Sequence, residues 1–235
     1  MTKQVWLVIF FIALVADIAI MQYGADEWRI FSKPLIVFSL LAWLLNNRAS
    51  SKYLPVKNHF AVALAFSIVG DVLLLFEPRS SLFFITGLVS FLIAHIFYII
   101  AFNAIRKKQS ISFSKLLLLP VLLYYVALIY ILNDSLGDMK IPVMVYGLVI
   151  SIMLAGALQL RNMKDRTSFS LLISGALLFI ASDSMLAFNK FYAPWNGAGI
   201  AIMLSYGMAQ LLITISAVRI VHAHTIVKHN KALAH

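Results

Sequence analysis

The sequence predicts an all-α, polytopic membrane protein, a bundle of eight transmembrane helices, and three observations carry that prediction. Of 235 residues, 62% are hydrophobic and only 12% charged, whereas a soluble domain carries roughly 25% charged residues. The mean hydropathy is +0.93. Apolar stretches of 16 to 24 residues recur eight times along the chain, each near the ~20 residues a helix needs to cross about 30 Å of hydrocarbon. The loops between them are short, so one integral membrane domain, 1–235, accounts for the chain. With no cysteine, disulfides and thiolate chemistry are excluded.

The spans are taken in order. Span one, 4–21, carries Asp17; only Lys3 precedes it, and no small-residue cleavage site comes before Asp26 and Glu27, so it reads as a retained helix rather than a signal peptide. Span two, 31–46, opens with Lys33 directly before Pro34, a first-turn proline that leaves the helix start's backbone donors facing outward. Span three, 59–76, holds Asp71 within GDVLLLF at 70–76. Span four, 81–104, carries His95 on one helical face with Leu88, Phe91, Tyr98 and Phe102, spaced as i, i+3 and i+4 neighbours are. Spans five and six cover 115–132 and 141–160. Span seven, 168–188, holds Asp183 within SDSMLAF at 182–188. Span eight, 197–218, leads into a basic tail, 219–235, with Arg219, Lys228, Lys231, His222, His224, His229 and His235.

Sorting Lys and Arg by alternate sides places fourteen on one side of the bilayer and five, Arg29, Lys33, Arg79, Lys140 and Lys190, on the other. The richer side is expected to be cytoplasmic, with both termini there. A bacterial inner membrane is the expected location. The net charge of +10 belongs to loops that set topology and meet anionic headgroups, so membrane lipids and not nucleic acid are the expected partners.

Carboxylates at membrane depth are costly and mark polar sites. Asp71 and Asp183 each lie five residues from the outer end of an outward-running span, roughly 7 Å below the outer boundary. Asp17 and Lys33 share that layer, with Asp17 readable as an interfacial residue or a partner of Lys33. His95 lies deeper and could floor the same cavity. At an offset of 112 residues Ile68, Asp71, Leu74, Phe76 and Gly87 match Ile180, Asp183, Leu186, Phe188 and Gly199, a short echo that leaves a parallel 4+4 duplication open. Gly70 and Ser182 are small residues that would let helices approach beside the aspartates. Metal is not expected: His95 is the one histidine well inside a span, and catalytic zinc wants three protein ligands. No cofactor is expected either. A proton-carrying transporter or lipid-binding bundle is the alternative reading of two intramembrane acids. No proline interrupts the spans around them.

SKPL at 32–35, SIVGDVLLLF at 67–76, GLVSFLIAHIFY at 87–98 and GALLFIASDSMLAFNKF at 175–191 resemble the YhhN/TMEM86 family of lysoplasmalogenases. The resemblance covers nearly the whole chain. It implies hydrolysis of the vinyl-ether bond of a lysophospholipid substrate, releasing a fatty aldehyde and glycerophosphoethanolamine or glycerophosphocholine. It also implies that the family's polar motif residues fall on Lys33, Asp71, His95, Asp183 and Asn189. On this basis Asp71 and Asp183 are the expected acid/base pair, and Lys33, His95 and Asn189 the expected substrate-binding residues, with Lys33 meeting the phosphate.

Overall fold

The computed structural model describes residues 4–24 and 26–232, with side chains described to His222. Among the described residues eight helices are long and apolar enough to cross a membrane. Their α-helical parts, several extended by flanking 3₁₀ or π turns, are α1 (Val5–Tyr23), α2 (Arg29–Asn46), α3 (Leu54–Leu75), α4 (Ser81–Lys108), α5 (Leu118–Leu132), α6 (Lys140–Leu158), α7 (Arg166–Ala187) and α8 (Ala198–Ala232). Each expected span is therefore present, with shifted ends. α3 starts at Leu54, five residues earlier than expected, because Pro55 suits the first turn, where its missing N–H costs nothing. One 3₁₀ turn, Asp26–Trp28, runs straight into α2, which brings Arg29 into the helix. Within the tail, the side chains of His224, Lys228, His229, Lys231 and His235 lie outside the described residues, as does Lys3.

α3 packs most closely on α4, and α7 on α8. Small residues make this possible: a Cβ on Gly70 would sit 2.6 Å from the Phe91 ring, and one on Gly175 2.7 Å from Ile213. Side-chain hydroxyls tie the same pairs, Ser90 donating to the Phe66 carbonyl at 2.7 Å and Ser182 to that of Ile202 at 3.0 Å. In lipid such packing and hydrogen bonding replace the hydrophobic drive as helix glue.

Part of the helix contact pattern recurs between the two halves, although α1–α8 and α3–α8 have no counterpart of like extent. α1–α2, α2–α3 and α3–α4 correspond to α5–α6, α6–α7 and α7–α8, and α4–α6 corresponds to α8–α2. Tyr98 and Gln210, separated by 112 positions, are hydrogen-bonded to each other at 2.6 Å. This buried bond ties α4 to α8, the corresponding helices of the two halves. Gln210 also donates to Ser67 of α3 at 3.0 Å. The buried apolar residues nevertheless form two separate clusters, a large one through most of the bundle and a small one of Leu128, Leu132, Leu136 and Val143 where α5 meets α6.

Candidate functional site

Asp71 on α3 and Asp183 on α7 line one cavity of about 70 Å³, together with Lys33 from α2, Tyr146 from α6, Ser182 from α7 and Tyr206 from α8. The remaining wall is apolar. The space suffices for several waters, since one water needs roughly 10–15 Å³ on the same measure. Asp71 is 1% exposed. Its Oδ1 lies 3.8 Å from the Lys33 ammonium, and its Oδ2 accepts from the Tyr206 hydroxyl at 2.8 Å. Asp183 accepts from the Tyr146 hydroxyl. Among the described residues no Lys, Arg or His forms an ion pair with Asp183.

A row of rings joins the two phenols beneath the cavity. Tyr206 meets Phe179 edge-on at 5.5 Å, Phe179 meets His95 at 4.7 Å, and His95 meets Tyr146 at 5.5 Å. Edge-to-face rings at these separations hold one another's orientation, so the hydroxyls aimed at the aspartates are fixed by packing. His95 is fully buried in this row, and among the described residues no side chain hydrogen-bonds its ring nitrogens. It supports Tyr146 from below and is not part of the cavity wall. Asn189 does not reach the wall either. It lies in a π-helical turn, Phe188–Tyr192, and its Oδ1 accepts from the Trp195 backbone N–H at 3.2 Å, fastening the turn between α7 and α8.

Asp17 is taken up elsewhere in the same layer. It is fully buried and accepts twice from Arg29 at 3.3 Å and once from Ser32 at 2.7 Å, clamping α1 to the start of α2. Lys33, the next residue along α2, has Asp71 as its ion-pair partner. Above the cavity an ion pair joins Glu77, in the turn after α3, to Lys190, in the π turn after α7. Between the α1–α2 and α3–α4 connections lies an open polar pocket of about 440 Å³, walled by Arg29, Arg79, Asp26, Glu27 and Glu77 and sharing Lys33 with the cavity. Among the described residues no three of His, Cys, Asp and Glu gather closely enough to hold a metal ion.

The sequence brings Lys33, Asp71 and Asp183 to notice, and the structure brings these three together. It adds Tyr146 and Tyr206, which sequence reasoning missed. A signal existed: both tyrosines sit well inside their spans rather than in the interfacial belt, and Tyr206 shares a helix face with Gln210 at i, i+4.

The YhhN family model matches residues 28–217. The chain belongs to the YhhN family. The match begins one residue before α2 and ends inside α8, so every residue of the cavity wall lies within the family region. Among curated relatives, human "Lysoplasmalogenase TMEM86B" is 36% identical over 157 residues, 67% of this chain and 62% of the human protein. The rat protein of the same name is 31% identical over 187 residues, covering 80% of this chain and 71% of its own length. A Mycobacterium tuberculosis "Lysoplasmalogenase" is 32% identical over 155 residues, 65% of this chain and 57% of that protein. The chain thus spans less than two thirds of the human and mycobacterial relatives. No solved structure matches it.

Proposed function

We propose that this YhhN-family chain is a membrane-embedded hydrolase that cleaves the vinyl-ether bond of lysoplasmalogens, yielding a fatty aldehyde and a glycerophospho-alcohol. One observation supports this above others: two carboxylates from separate helices share a small, mostly apolar cavity with a single ammonium group. Vinyl-ether hydrolysis needs one acid, one base and stabilisation of a cation, and two acids held close in low dielectric favour one proton between them. The protonated aspartate gives its proton to the alkene carbon remote from oxygen. A C–H bond forms from the π pair, and the ether oxygen shares the positive charge as an oxocarbenium ion. The ionised aspartate stabilises that cation and then takes a proton from the water whose oxygen bonds to it. In the resulting hemiacetal the hydroxyl proton passes to the first carboxylate, the C–O bond to glycerol breaks, and the glycerol oxygen takes the second aspartate's proton. Both acids are then restored, and one water has been consumed.

Lys33 opens both to the cavity and to the outer polar pocket, which suits it to neutralise the substrate phosphate as a point charge. His95 acts through Tyr146, and Asn189 through the turn that carries Lys190. The topology proposed with this reading puts both termini in the cytoplasm of a bacterial inner membrane and the cavity near the external leaflet. Purified protein incubated with lysoplasmalogen is expected to release free aldehyde, and Asp71→Asn and Asp183→Asn are each expected to lower the rate by ~10²–10⁴-fold. Full activity of either variant would refute the aspartate pair. Proton-coupled uptake into proteoliposomes without aldehyde would instead identify a transporter.

A further inference from the structure

The cavity has unlike neighbours on its two sides. On the Asp71 side it shares Lys33 and Leu74 with the open, charged pocket. On the Asp183 side it shares Tyr146, Asp183, Leu88 and Leu186 with a narrow slot of about 30 Å³, closed by Phe84, Val143, Ala187 and Phe191. Apart from the tyrosine hydroxyl and the Asp183 carboxyl this slot is lined by hydrocarbon.

We infer that the slot between α4, α6 and the outer end of α7 is the binding site for the hydrocarbon chain of a single-chain lipid, whose phosphate then points to Lys33. The inference rests on the hydrolase reading for the identity of the lipid, not for its orientation. Three observations support it. Polarity changes from one side of the cavity to the other in the order of an amphiphile's own segments. The slot also lies on a seam, because Leu88 and Tyr146 pack with the large apolar cluster whereas Val143, Ala187 and Phe191 pack with the small one on α5. A hydrocarbon chain can slide between these clusters without opening the main core, which is close-packed and resists intrusion. Finally, α5 is the least buried of the spans, so the slot's outer wall has lipid behind it and yields to the membrane.

Orientation assigns the acids. With the chain in the slot, the alkene carbon that bears it faces Asp183, and the ether oxygen and its carbon face Asp71. Asp183 is then the proton donor to the chain-bearing carbon. Its hydrogen bond from Tyr146 occupies one carboxyl oxygen and leaves the other for the proton. Asp71, balanced by Lys33, holds the negative charge that stabilises the cation and activates water.

The test is a chain-length profile. Binding of saturated 1-O-alkyl lysophosphocholines, which cannot be hydrolysed, is measured with a methyl group, too short to enter the slot, and with a hexadecyl chain in wild type, Val143→Phe, Ala187→Phe and, as a lipid-facing control of the same kind, Val145→Phe. Each buried methylene is worth about fourfold in affinity, so a ring displacing two methylenes is expected to cut the hexadecyl-to-methyl ratio by about fifteenfold in the two slot variants. Val145→Phe should keep the wild-type ratio, since Val145 is half exposed. A ratio is insensitive to the fraction of folded protein, so a poorly folding variant does not blur the result, and the two slot variants stand in for each other. Slot variants indistinguishable from the control would overturn the inference even if aldehyde is released. A loss of discrimination in them, with no aldehyde from wild type, would instead uphold the slot and refute the hydrolase.

Discussion

Asp71 and Asp183 hold matching positions on α3 and α7, in two halves that share several helix contacts, yet their surroundings differ in kind. Asp71 has an ammonium at 3.8 Å and a phenol at 2.8 Å. Asp183 has a phenol and no cation among the described residues. The first residue of the charge pair comes from α2, and the α6 position equivalent to Lys33 is Val145, which faces outward and carries no charge. A cation thus stands beside one acid, and among the described residues none pairs with the other. Corresponding helices bring both carboxylates to one cavity, and under the proposed mechanism their unlike surroundings would supply the difference in role that acid/base chemistry needs.

The sharpest way to break the comparison is to remove each acid in turn. Asp71→Asn and Asp183→Asn should both lose ~10²–10⁴-fold in turnover, but they should fail at different steps. In D₂O, Asp71→Asn retains the proton donor, so the alkene can be protonated and revert, and recovered lysoplasmalogen should carry deuterium on the chain-bearing vinyl carbon. Substrate recovered from Asp183→Asn should carry none. Deuterium entering with Asp183→Asn and not with Asp71→Asn would exchange the two roles.

Removing the cation comes next. Lys33→Met leaves the buried Asp71 charge uncompensated, a change that costs about 3–5 kcal/mol when one partner of a buried pair is deleted. The double variant Lys33→Met/Asp71→Asn removes both charges and should recover most of that loss in thermal unfolding. If the single and double variants melt alike, the pair at 3.8 Å contributes nothing to the fold and the electrostatic contrast between the halves fails with it.

How far this asymmetry was legible in the sequence differs by feature. The eight spans are legible because a helix in lipid must be long and apolar whatever it packs against. Asp71, Asp183 and Lys33 are legible because charge at depth stands out from hydrocarbon. Tyr146 and Tyr206 are legible only faintly, by their place in the spans, since a phenol blends with the apolar residues around it until its hydroxyl is seen to have a partner. The clamp of Arg29 on Asp17 was hidden by a boundary: counted as a loop cation, Arg29 is instead the first residue of α2. The π turn that carries Asn189 away from the cavity differs from an α-helix only in hydrogen-bond register, and no residue type announces it.

Packing gives a smaller contrast. Gly70→Ala places a methyl 2.6 Å from Phe91, a ring of the cavity wall, whereas Gly175→Ala places one 2.7 Å from Ile213 and 2.9 Å from the Ala209 backbone carbonyl. A ring edge can shift and backbone cannot. Gly175→Ala should therefore lose about 1–3 kcal/mol of stability, while Gly70→Ala should lose less stability and more turnover. Equal melting temperatures for the two would contradict this reading.

The smallest effect lies where the two long helices of the site begin. α3 starts after Tyr53, which provides no side-chain cap bond, and relies on Pro55. The residue 112 positions on is Asp165, whose carboxylate accepts from the Ser168 backbone N–H at 3.2 Å and hydroxyl at 2.6 Å and pairs with Arg219 at 3.2 Å. The hydrogen bonds from Ser168, ahead of the Arg219 charge, hold the Asp165 carboxyl below its ordinary range. Its folded-state value being lowered, it contributes stability above the unfolded-state value of about 3.9, and that contribution is lost as pH falls through the folded-state value. With the side chain about a third exposed, water screens the pair, so Asp165→Ala should cost no more than about 1 kcal/mol near neutrality. The gap between wild-type and Asp165→Ala melting temperatures should shrink steadily once the pH drops below about 4. A gap that stays constant down to the acid limit would mean that α7, like α3, is held at its start by packing rather than by charge.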